Sequence, residues 1–144
     1  SGLQLRLIYE RLLRGEYPCD WDSTYSGVKL PEPILDLNRK PIPSDIEIDW
    51  FRTARELFDW GCKEHNCVFE MTQDVLDQRI ILLKVHKPVR GTLKLEKDSS
   101  GSWVIANFLA ARNKPVPKDA LFKVASHLDQ CLYPADKYSD DIPF

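Results

Sequence analysis

The chain has 144 residues and a mass of 16.7 kDa, the size of one domain, with 43% hydrophobic, 29% charged and 10% aromatic residues and a formal net charge of −2. That balance excludes collagen-like, coiled-coil and disordered chains, and no run approaches the roughly 18 apolar residues of a membrane-spanning helix. Arg6, Glu10, Arg11, Arg14 and Glu16 interrupt the stretch where a secretory signal needs an apolar run, and the four cysteines Cys19, Cys62, Cys67 and Cys131 read as reduced thiols of an intracellular protein, in cytoplasm or nucleus.

Residues 3–14 repeat Leu5, Ile8 and Leu12 at a helical period among Arg and Glu side chains, which predicts an amphipathic helix ending near Gly15. Residues 16–43 hold Pro18, Pro31, Pro33, Pro41 and Pro43 with no sustained period and read as an extended arm, a candidate tether or partner-binding segment. Ser44 and Glu47 have capping-box spacing, so a helix is expected from there to about Glu64, with Phe51, Ala54, Leu57, Phe58 and Gly61 inward and Trp50 and Trp60 at its margins. The pattern then shortens to a period of two or to brief apolar runs at residues 67–71, 80–86, 92–97 and 103–108, which predicts four strands in an antiparallel meander. Residues 72–78 read either as loop or as one helical turn. Pro117 suits the start of a helix that places Leu121, Val124, Ala125, Leu128, Cys131 and Leu132 on one face. The expected fold is therefore α+β: a four-stranded sheet with two helices on one face as a core over residues 44–133. A helix and an arm over 1–43 precede that core, and an acidic tail over 134–144 follows it.

Charge is unevenly spread. Residues 1–78 carry a net −6, residues 79–123 a net +7 and residues 124–144 a net −3. Strand alternation puts Lys84 and His86 on one side of their strand, opposite Ile81, Leu83 and Val85, and gathers Arg90 and Lys94 on one side of the next. If the apolar sides cover the helices, a basic face results from Lys84, His86, Arg90 and Lys94, with Trp103 beside them and Arg112, Lys114 and Lys118 at the entry to the last helix. The opposing expectation is a solvated face, or one that pairs with the chain's own acids. The order helix, strands, helix, with Lys114 and Lys118 at the second helix, is distantly similar in topology to double-stranded-RNA-binding domains over residues 44–133. The chain departs from that family in an extra strand and in lacking its consecutive lysine pair followed by Ala-Lys.

Cys62, His65 and Cys67 carry zinc-ligating chemistry but lack the paired motif and fourth ligand of a structural site, so packing is the preferred reading and no metal or other cofactor is expected. Glu96 and Lys97 are adjacent and point to opposite strand faces, which argues against a metal-dependent nuclease. No phosphate-cradling glycine loop, nucleophile elbow or His-Glu-x-x-His motif is present. Two readings follow. One is a noncatalytic nucleic-acid-binding module using Lys84, His86, Arg90, Lys94, Trp103, Arg112, Lys114 and Lys118. The other is a protein-interaction or dimerisation domain acting through residues 3–43, with Leu5, Ile8 and Leu12 as anchors.

Overall fold

The run Ile80-Ile81-Leu82-Leu83 is apolar at both parities, and a strand with two apolar faces must be covered twice. The computed structural model, which describes residues 20–132, supplies both covers. The strands are β1 (Glu47–Trp50), β2 (Ile80–Lys87), β3 (Gly91–Lys97), β4 (Trp103–Ala110) and β5 (Lys114–Pro115), joined in one antiparallel sheet in chain order. The helices are α1 (Ala54–Glu64), the short α2 (Thr72–Leu76) and α3 (Lys118–Leu132).

On one face Ile81, Leu83, Val85, Leu93, Leu95 and Phe108 pack against Val124, Leu128 and Cys131 of α3. On the other, Ile80 and Leu82 pack against Leu57 and Trp60 of α1, with Phe51, Val68 and Val75. The architecture is thus α+β with an antiparallel meander, as expected, but α1 and α3 lie on opposite faces and the strands among the described residues number five. The likeness to double-stranded-RNA-binding domains fails at the same two points. Among the described residues no helix is long and apolar enough to cross a membrane.

Local chemistry explains the other departures. The chain at Glu47-Ile48-Asp49-Trp50 is strand, and the helix expected from Ser44 starts later, where Thr53 caps α1 by accepting the Glu56 N–H at 3.1 Å. Trp60, expected at the margin, is buried, because its indole N–H donates to Thr92 Oγ1 at 2.7 Å and so leaves no polar atom unmet in the core. Residues 67–71 form a 3-10 turn, Val68–Met71, in place of a strand, and α2 settles residues 72–78 as a helical turn. Strand β5 has only two residues, too few to leave a sequence pattern.

The proline-rich segment is docked from its described beginning. Trp21 stacks on Phe69 at 5.2 Å, and Lys29 bridges to Thr53. Leu30, Leu35 and Ile46 are buried in the two clusters, and Asp36 N–H donates to Cys131 C=O. The expected helix at residues 3–14, with Leu5, Ile8 and Leu12, and the tail at 134–144 lie outside the described residues.

Candidate functional site

Alternation along β2 and β3 does put Lys84, His86 and Lys94 on one face of the sheet, but α1 lies over that face and brings its own acids. Lys84, only 17% exposed, forms an ion pair with Glu56, and its ammonium lies 5.5 Å from the centre of the Phe51 ring. His86 meets the edge of Trp60 with ring centres 5.6 Å apart. Arg90 stacks on the Trp60 ring at 4.4 Å and binds Oε2 of the buried Glu64 at 3.3 Å, whose other oxygen, Oε1, has no hydrogen-bond partner. Lys94 pairs with Glu96 at 2.9 Å. The open basic platform is therefore not formed, since four of its members are engaged within the chain. Trp103 lies on the α3 side of the sheet, opposite Lys84 and His86, with Lys97 over its ring at 5.2 Å.

Arg112, Lys114 and Lys118 are exposed. Register places Lys114 beside Ala110 and Thr92 beside Leu109, so Lys114, Arg112 and the Lys87–Arg90 turn share one end of the sheet. Positive charge is thus gathered at a sheet end rather than across a face.

The cysteine and histidine candidates divide likewise. His65 takes a left-handed conformation, φ 52°, as the C-cap of α1, with Cys62 exposed and Cys67 half-buried. Among the described residues no three His, Cys, Asp or Glu side chains are grouped to hold a metal ion. On α3, His127 Nε2 lies 3.7 Å from Cys131 Sγ. Burial lowers the imidazole's pKa and, with help from Asp36, pushes the thiol up to about 11, so the pair stays neutral and is the reverse of an activated thiolate.

A concave space lies at the opposite end of the sheet from Lys114. Residues 28–30 pair with the chain just beyond β1: Leu30 N–H donates to Arg52 C=O at 2.9 Å and Ala54 N–H to Val28 C=O at 3.1 Å. Pro31 and Pro33 hold φ near about −65°, away from the strand value, and the segment departs from β1 there. Between this strap and the sheet is a cleft of about 330 Å³, walled by Trp50, Phe51, Leu57, Ile80 and Trp103, with Glu32, Asp77 and Lys97 as polar groups. Adjoining it, farther along the strap, lies a polar recess of about 400 Å³, lined by Asp36, Ile48, Asp49 and Arg52 among others. Glu32, Pro33, Ile34 and Trp50 line both spaces. Ile34 is 72% exposed on the rim. Apolar walls with a few convergent polar groups are the usual make-up of a ligand site.

Sequence reasoning did not single out Asp49 or Arg52, and it held Glu32 through Ile34 only as part of the candidate partner-binding arm. The available signal was the Pro-x-Pro spacing of Pro31 and Pro33 next to a tryptophan-bearing strand. In comparisons with protein-family models, curated proteins and solved structures, nothing matches the chain.

Proposed function

We propose that this domain is a noncatalytic protein-interaction module that receives its partner in the groove between the strap at residues 31–38 and β1. The observation that carries the reading is the pair of adjoining spaces, one apolar and one polar, that share Trp50 and residues 32–34. An apolar side chain fits the first and hydrogen-bonding groups suit the second, a combination typical of peptide recognition. Selection of a displayed random-peptide library on the intact chain tests it. Enriched sequences are expected on the native protein and should be lost on Ile34→Asp, a change at an exposed position that leaves the core alone. Equal enrichment on the variant would place binding elsewhere and overturn the groove.

A second reading, nucleic-acid binding, is supported by the basic sheet end with Lys87, Arg112, Lys114 and Lys118 in place of the covered face. Phosphate contacts weaken steeply with salt. Anisotropy titrations with labelled single-stranded and duplex DNA and RNA at two salt concentrations decide it. Salt-steep binding lost on Lys114→Glu and Lys118→Glu would favour it over the protein-interaction reading, and no binding at low salt would remove it.

A further inference from the structure

The outer edge of β1 is where the groove meets unpaired backbone. Strand β1 ends the sheet, and among the described residues no strand pairs with its outer side. In a strand, the N–H and C=O of one residue point the same way, alternating along the chain. The outward groups of Trp50 are met by side chains. Its N–H donates to Asp49 Oδ1 at 2.9 Å, and its C=O accepts from Arg52 Nη1 at 2.6 Å. Asp49 and Arg52 are themselves joined at 2.7 Å, and the guanidinium lies 4.5 Å from the centre of the Trp50 ring. One carboxylate and one guanidinium thus occupy the positions that the C=O and N–H of a neighbouring strand would fill. Ile48, two residues back, presents its own N–H and C=O to the same side.

We infer that β1 accepts a short extended segment of a protein partner as an added strand, which displaces the Asp49–Arg52 pair from the Trp50 backbone. The inference rests on the protein-interaction reading and specifies its mode. Three observations point to the occupant. The ladder is already begun, since residues 28–30 pair with residues 52–54, and it is left open only where Pro31 ends it. The cleft of about 330 Å³ opens beside Trp50 and takes one large apolar side chain. The polar recess bears Glu32, Asp36 and Asp49 against Arg52, so Lys or Arg suits the flanking positions. The partner segment is therefore a stretch of about four residues that matches β1 in length, with one bulky apolar residue among basic ones.

The opposite edge is less suited. The register between β3 and β4 slips at Lys94/Leu95, leaving Ala106 as the extra residue of a bulge, and β5 covers Leu109 and Ala110. Bulges and short covering strands are devices that keep an edge from pairing.

The test uses the full chain and the strongest peptide from the displayed library. Backbone amide NMR should show Ile48 and Trp50 shifted and protected on adding the peptide. Arg52→Ala removes a competing donor, so affinity should rise by about tenfold, whereas Glu32→Lys with Asp36→Lys should lower it by a similar factor. Both changes lie at the surface, and unchanged far-ultraviolet circular dichroism confirms the fold. A peptide that binds without moving Ile48 or Trp50, and with affinity indifferent to Arg52→Ala, would overturn strand addition while leaving the protein-interaction reading in place. Protection of the Ile48 amide before any peptide is added would show that the chain's own terminal segment fills the edge, which also overturns it. No enriched peptide at all would end both.

Discussion

His127 shows how burial of one side chain sets a pH window. Burial holds the His127 pKa below its ordinary 6.5, so the unfolded chain takes up a proton as pH falls through 6.5 while the folded chain still resists it. Stability from this residue is complete above pH 6.5 and is lost on acidification. Asp45, held low mainly by its hydrogen bond from Lys123, and Asp98, held low mainly by Ser100, act in the other range. Their carboxylates favour the folded state above the ordinary 3.8 and lose that contribution below it, so the His127 window, from about pH 6.5 to 5, lies above theirs. Thermal melts across that range should show a falling Tm, and His127→Gln should flatten it. A wild-type curve as flat as the variant's would remove the effect. Glu64 is a second residue under constraint: a buried carboxylate near the negative end of α1, held by Arg90 on one oxygen only.

Among the elements, β3 and β4 leave no room for a side chain at Gly91. A Cβ there would lie 2.6 Å from Leu109 O and 2.8 Å from a ring carbon of Phe108, so the strands must part to admit it. Gly91→Ala is expected to cost about 1–3 kcal/mol, read from urea unfolding; a loss under about 0.5 kcal/mol would mean the strands yield freely. The elements with long, regular patterns were legible: β2, β3, β4 and α3 appear within a residue or two of expectation. Those that were misread had competing signals. Thr53 and Glu56 repeat the spacing of Ser44 and Glu47, and Ile48 and Trp50 alternate with Glu47 and Asp49, so strand, turn and helix were all written into residues 44–56. The run at residues 67–71 was too short to separate strand from 3-10 turn, since a brief apolar run fits either.

For the molecule as a whole, the positive excess of residues 79–123 answers the negative excess of the N-terminal half. Lys84 and Arg90 meet carboxylates of that half, Glu56 and Glu64, and Lys94 meets Glu96 within its own segment. Changing all three to Glu therefore attacks the fold, with an expected loss of more than about 3 kcal/mol in a thermal melt followed by circular dichroism. A triple variant as stable as the parent would show these pairs to be ornamental surface contacts. The parity of Lys84 and His86 was legible in the sequence; the helix above them was not, although Ile80 and Leu82 on the same side already marked a face meant to be covered. The groove was invisible for another reason: it arises from where the strap leaves β1, a matter of three-dimensional path.

Because β2 contributes Ile80 and Leu82 to one cluster and Ile81, Leu83 and Val85 to the other, neither layer has a complete lining of its own. Peeling away α1 bares one side of the strand that α3 needs, and peeling away α3 does the same to α1. The strap adds a third tie, with Leu30 in one cluster and Leu35 in the other. The described residues are therefore indivisible: a fragment cut at residue 44 keeps every strand described yet loses a wall from each core, and melting should be a single concerted event rather than the sum of two halves.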